Sequence, residues 1–268
     1  MIHCDCCLNF MRRNVPDKHV DLAVTSPPYD GLRLYNGYDF PFEDIVRELY
    51  RIMRLGGVVV WVVGDATVNG SETGTSFKQA LFFMDVGFKL HDTMIYRKLN
   101  PVPNAGKRYQ QSFEYMFIFS KGTPTTHNIA CRKRRNACND KRTSRVKGFN
   151  RNVHGEVMHK MYAVREDVPK DNIWEYYVGG GNSTSDAIAF KHPAIFPEKL
   201  AEDHILSWSV PGDIVFDPFM GSGTTGKMAI LHGRKFIGCD VSLEYCSLAF
   251  ERIYNATGGH MDELLRSI

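Results

Sequence analysis

A chain of 268 residues with 43% hydrophobic and 12% aromatic content is too rich in core-forming side chains to be disordered, and long enough for one large α/β domain with an insertion. Its net charge of +3 excludes little, but the distribution is uneven. Between Gly122 and Lys160 ten Lys or Arg face only Asp140 and Glu156, a local +8 that leaves −5 for the remainder, which suits one segment to a polyanion.

Seven cysteines, an odd number, occur without a secretory n-region or cleavage site, and the longest apolar runs, such as Val58–Val63, fall far short of a membrane span. The expectation is a reduced, cytoplasmic protein with no membrane partner. Cys4-Asp5-Cys6-Cys7 and Cys131…Cys138 do not make the two C-x2-C pairs of a zinc knuckle, so they read as scattered thiols and no metal site is expected.

Along the chain, strand-like and helix-like stretches alternate, the pattern of a mainly parallel sheet. A short strand (Met1–Cys4) leads through a polar stretch to Val20–Val24, a buried strand ending at Thr25. Ile45, Val46, Leu49, Ile52 and Met53 give Glu43–Met53 helical spacing, and Gly56-Gly57 separates that helix from the buried strand Val58–Val63. Phe77–Asp85 reads as a helix closed by Gly87, and Phe88–Arg97 and Glu114–Ser120 as two further strands. From Lys121 the chain turns basic and aperiodic, an inserted loop-rich region bounded by the flexible joint Gly179–Ser183. Order resumes with a helix over Glu198–Ser209, a strand Ile214–Phe216, a glycine loop, a helix Thr225–Leu231, a strand Lys235–Cys239 and a helix Leu243–Tyr254.

The glycine loop, Asp217-Pro218-Phe219-Met220-Gly221-Ser222-Gly223-Thr224-Thr225-Gly226-Lys227, matches three patterns. Gly221 to Lys227 resembles a phosphate-binding loop, yet Met228 stands where a magnesium-holding hydroxyl is needed, and Asp217 would repel phosphate. Gly221-x-Gly223-x-x-Gly226, with Asp240 ending the next strand, also fits a dinucleotide fingerprint. The third pattern is a methyl-donor loop: Asp217 would pair with the ammonium of a cationic sulfonium ligand, Gly221 and Gly223 would let the backbone approach, and Asp240 would accept from ribose hydroxyls. The loop alone does not separate hydride from methyl chemistry.

Thr25-Ser26-Pro27-Pro28-Tyr29 lies at the carboxyl end of a strand, where α/β ligands bind. Pro27 and Pro28 stiffen the backbone and offer no N–H, so their surroundings present bare acceptors. Ser26 adds one more acceptor, and Tyr29 a flat face for stacking. An exocyclic amine needs acceptors that direct its lone pair, and an unstacked base needs a new stacking partner.

The two segments together make the chain resemble the β-class DNA amino-methyltransferases, in which a (D/N/S)-PP-(Y/F/W) motif precedes the cofactor loop. The resemblance runs through Ile2–Cys6, Leu55–Trp61 (with Arg54-Leu55 in place of Lys-Pro), Arg108-Tyr109 with Phe113–Lys121, His192–Leu200, Asp217–Thr225 and Phe236–Asp240. It implies an α/β, Rossmann-like S-adenosylmethionine-dependent methyltransferase fold with circularly permuted motif order. Residues 1–121 would be the catalytic half, 122–180 an inserted target-recognition region and 181–268 the cofactor half. Ser26, Pro27, Pro28 and Tyr29 would be catalytic. S-adenosyl-L-methionine would meet Asp5, Cys6, Thr25, Phe196, Glu198, Leu200, Asp217, Pro218, Phe219, Gly221, Gly223, Thr224, Thr225 and Asp240. Double-stranded DNA would meet Arg108, Arg132, Lys133, Arg134, Arg135, Arg142, Arg145, Lys147 and Arg151. Ser26 leans the target to cytosine N4, with adenine N6 as the alternative. The resemblance also implies a homodimer and, in a restriction system, a cognate endonuclease. A DNA-binding module without catalysis and an NAD-dependent oxidoreductase are the readings from other classes.

Overall fold

The computed structural model describes residues 1–28, 40–103, 106, 108–128, 130–133, 145–151, 154–163 and 167–259. The chain opens with β1 (Ile2–Cys4), α1 (Cys7–Asn14), β2 (Val20–Thr25), α2 (Phe42–Ile52) and β3 (Met53–Val63). A small hairpin, β4 (Thr67–Val68) with β5 (Ser71–Glu72), precedes α3 (Thr75–Val86), β6 (Lys89–Lys98) and β7 (Phe113–Ser120). Then come β8 (Cys131–Lys133), β9 (Arg145–Arg151), β10 (Val157–Ala163) and β11 (Asp167–Pro169). The last stretch holds β12 (Ile173–Tyr176), a short 3-10 helix (Ala187–Lys191), α4 (Glu198–Trp208), β13 (Ile214–Asp217), α5 (Thr224–Leu231), β14 (Lys235–Asp240) and α6 (Leu243–Ala256).

One eight-stranded sheet, in the order β1-β14-β13-β2-β3-β7-β6-β12, carries the larger of two compact units, residues 1–128 and 172–268. Strands β1, β14, β13, β2 and β3 are mutually parallel, β7 runs antiparallel between β3 and β6, and β12 lies parallel to β6 at the edge. Side chains alternate between two cores because successive Cβ atoms point to opposite faces. Along β3, Val59, Trp61 and Val63 join α1, α2 and α3 on one side, while Val58, Val60 and Val62 join residues of α4, α5 and α6 on the other. Helices thus cover both faces, as a mainly parallel sheet requires. Among the described residues no helix is long and apolar enough to cross a membrane.

Three local features differ from the sequence expectations. The polar stretch after β1 contains α1, which buries Cys7, Leu8, Phe10 and Met11 and places Arg12 and Arg13 in its last turn, where the helix dipole favours cations. The segment expected to be loop-rich forms two antiparallel pairs, β9 with β10 and β8 with β11, within a second compact unit, Ile129–Asp171. Ile173–Tyr176, expected inside the insert, joins the main sheet because Trp174 and Tyr176 alternate into its core. The turn-forming Gly179–Ser183 therefore follows an edge strand of the main unit.

Candidate active site

Five parallel strands bring chemically distinct residues to one carboxyl edge. Asp5 lies just past β1, Asp240 ends β14, Asp217 ends β13, Thr25 ends β2 with Ser26-Pro27 after it, and Gly64-Asp65 follows β3. Carboxyl ends of this kind are where open α/β sheets bind ligands.

Asp217 is 1% exposed. Its Oδ1 accepts from the Thr25 hydroxyl at 2.6 Å and from the Phe219 N–H at 3.1 Å. Burial pushes its carboxyl up to about 6, against the hydrogen bonds that favour the charged form. Asp240 is also raised by burial; its Oδ2 accepts from the Gly221 N–H at 3.0 Å and its Oδ1 from the Ser242 N–H at 2.9 Å. A carboxylate has about four lone-pair sites, so Asp240 retains capacity for further donors. Next to it, the Asp5 N–H donates to the Asp240 carbonyl at 3.1 Å, and Asp5 Oδ1 accepts from Cys6 N–H at 2.7 Å.

The loop after β13 is glycine-dependent for concrete reasons. Gly221 has φ +47°, and a Cβ there would stand 2.8 Å from Nε2 of His192. Gly223, at φ +77°, precedes α5, and a Cβ there would stand 2.7 Å from the Cβ of Ala249 on α6. The loop is pinned from β14 by Met220 N–H donating to the Cys239 carbonyl at 3.0 Å.

Several expected contacts act from behind. Thr25 and Thr225 are fully buried; the Thr225 hydroxyl donates to the Val24 carbonyl at 3.0 Å, bracing α5 against β2. Leu200 is fully buried as well, its side chain packed on the α4 side of the core. Phe196 is half-buried against the same core. Phe219 is half-buried too, edge-on to Phe40 at 5.6 Å, whereas Pro218 in the loop and Thr224 at the start of α5 are buried. Glu198 Oε1 is approached by Thr184 Oγ1 at 2.6 Å, Lys227 Nζ at 2.8 Å and Arg252 Nη2 at 2.8 Å. Lys227 Nζ also donates to Asp186 Oδ2 at 2.7 Å. It is committed to carboxylates, which removes the phosphate-loop reading.

A cavity of about 370 Å³ opens just past the end of β3, lined among others by Asp65, Phe77, Arg108, Gln111 and Tyr115. Arg108 donates to the Gly70 carbonyl and lies 3.8 Å from Glu72. Arg132, Lys133, Arg145, Lys147 and Arg151 fall on strands of the second unit. Tyr29, Arg134, Arg135 and Arg142 lie outside the described residues. The sequence reading missed Asp186 and Arg252. An arginine flanked by Leu248, Ala249 and Ile253 on α6 was the available signal, since a cation on an apolar helix face must find buried partners.

The N6/N4 DNA methylase family model matches residues 20–251, most of the chain. The chain belongs to that family. The methylase is 57% identical over 247 residues to the orphan methyltransferase M.BamHII of Bacillus amyloliquefaciens, covering 91% of this chain and 92% of that protein. Its fold is that of the cytosine-N4-specific PvuII DNA methyltransferase, with a TM-score of 0.69, 19% identity and coverage of 100% and 93% of the two chains. The Thermus thermophilus protein TTHA0409, complexed with S-adenosyl-L-methionine, gives a TM-score of 0.63 at 24% identity, covering 96% of each chain. As a family member this protein is an S-adenosylmethionine-dependent DNA methyltransferase. The residues present fit that donor: carboxylates Asp5, Asp240 and Asp217 at adjacent strand ends favour a cationic ligand, and the turn at Gly221 and Gly223 admits close backbone approach.

Proposed function

We propose that this DNA methylase modifies N4 of cytosine in double-stranded DNA. The reading is carried by the position of Ser26-Pro27-Pro28 at the end of β2, tied directly to the cofactor-side strand by the Thr25–Asp217 hydrogen bond. Ser at the first motif position favours cytosine in the family this chain resembles, and the cytosine-N4-specific PvuII enzyme shares the fold.

Ser26 and the Pro27 carbonyl hold the two hydrogens of the amine, so that the nitrogen lone pair faces the cofactor edge. Tyr29 stacks on the base after it leaves the duplex. The cavity bounded by Asp65, Arg108 and Tyr115, about 370 Å³ in volume, lies one strand away and is the candidate place for that base. Asp240 receives the ribose hydroxyls, and Asp217 supplies the negative potential for the amino-acid end. When bound, S-adenosylmethionine supplies an electrophilic methyl group on a sulfonium. In the transfer the N–C bond would form as the sulfonium S–C bond breaks, S-adenosylhomocysteine would be the leaving group, and the nitrogen would shed one proton to solvent. Approximation and alignment do most of the work. The strands of the second unit carry the basic residues that track the phosphates.

M.BamHII is an orphan methyltransferase, and a sequence this similar supports action without a cognate endonuclease. DNA from cells expressing the protein, digested to nucleosides and analysed by mass spectrometry, is expected to contain N4-methylcytosine. N6-methyladenine in its place would reassign the base, and the absence of any modified base would refute the enzyme reading.

A further inference from the structure

Arg252 is completely buried on the inner face of α6, and a buried guanidinium is tolerated only when its donors are matched. Here every arm of the fork has a partner. Nη1 donates to the Ser222 carbonyl at 2.6 Å, to Ser222 Oγ at 3.0 Å and to Thr224 Oγ1 at 3.2 Å. Nη2 donates to Glu198 Oε1 at 2.8 Å, and Nε to Asp186 Oδ2 at 3.2 Å. Lys227 Nζ bridges the same two carboxylates. Two cations and two carboxylates therefore cancel, and the cluster ties α5 and α6 to the cofactor loop, the start of the 3-10 helix and the first residue of α4.

Ser222 stands between Gly221 and Gly223, both at positive φ. Such a turn has little intrinsic preference for one conformation, since glycine gives up the most backbone freedom on ordering. The guanidinium holds the carbonyl at its middle from behind, while Asp240 holds the Gly221 N–H from the ligand side. We propose that Arg252, with Lys227, Asp186 and Glu198, is a positioning unit that presets the cofactor loop for the methyl donor without touching it. This rests on the loop being the donor site. Glu198 then acts through the loop, and Lys227 fixes the carboxylates that orient Arg252.

The test uses the full chain and S-adenosylhomocysteine, the demethylated donor, with binding measured by calorimetry. Arg252→Lys keeps the charge but loses the planar fork that spans Ser222 and Glu198. The expected result is a loss of affinity on the order of tenfold, a matching rise in the donor KM, and a kcat changed less than about threefold. Hydrogen exchange without ligand should quicken at Gly221–Thr224 and stay unchanged in β2 and β3. Lys227→Gln is a second variant for which a smaller loss in the same direction is expected, and it serves if Arg252→Lys folds poorly. Wild-type affinity and wild-type loop exchange in a folded variant would overturn the proposal. If the wild-type protein itself binds no S-adenosylhomocysteine, the reading of the loop fails first and the proposal falls with it.

Discussion

The hydroxyl of Thr25 donates a 2.6 Å hydrogen bond to Oδ1 of Asp217, across 192 residues of chain. Both residues are buried, and they join the end of β2 to the end of β13. The two motifs that define the family are thus one physical unit. Thr25→Val removes the donor and leaves a buried charged oxygen short of a partner. The expected cost is about 1–3 kcal/mol, read as a lower midpoint in urea unfolding. An unchanged midpoint would mean that the bond contributes nothing.

Asp217 has its carboxyl pushed up to about 6 by burial, so the folded state binds its proton more tightly than the unfolded state does. The sign follows directly. Ionised Asp217 costs stability above the folded value, on the order of 3 kcal/mol. That cost disappears as pH falls from about 6 towards the ordinary value of 3.8. Asp217→Asn should therefore be at least as stable as wild type at about pH 8, with the advantage shrinking towards about pH 4. Its affinity for S-adenosylhomocysteine should nonetheless fall by about tenfold or more, because the cation loses its partner. Melting curves across that pH range check the first part and calorimetry the second; a gap between the two proteins that ignores pH would remove burial as the cause.

Much of this site was legible in the sequence. Strong periodicity marked α2 and β3, because a helix or strand that buries a full face has little choice of residues there. The glycine loop and Ser26-Pro27-Pro28 were visible as local chemistry. What escaped notice depends on long-range pairing. β12 has four residues, too few for alternation to register, and its burial comes from β6. α1 is only about two turns long, and its apolar face includes Cys7. Arg252 is invisible as a site residue until Ser222, Glu198 and Asp186 are brought to it from 30, 54 and 66 residues away.

Binding and chemistry should separate at Ser26 and Tyr29. Ser26→Ala leaves the amine with one acceptor, and Tyr29→Ala removes the stacking face, worth about 1–3 kcal/mol per base. Transfer of labelled methyl groups to DNA should drop by about tenfold or more in each variant, while affinity for S-adenosylhomocysteine stays near wild type. Loss of cofactor binding in both would place these residues on the donor side instead.

The basic unit makes a prediction that depends on salt rather than on cofactor. β9 carries Arg145, Lys147 and Arg151 at positions paired with Ala163, Met161 and Val157 of β10. If these side chains neutralise DNA phosphates, each releases condensed counterions, and the logarithm of affinity falls with the logarithm of salt by about 0.9 per contact. The triple Ala variant should therefore bind duplex DNA more weakly at low salt and show a slope shallower by about 2–3. Its turnover at saturating DNA should be little changed, because none of the three belongs to the sheet edge proposed for methyl transfer. Fluorescence anisotropy over a salt series measures the slope. An unaltered slope would show that the strand does not meet phosphates, and would assign the +8 of this segment to a solvated surface.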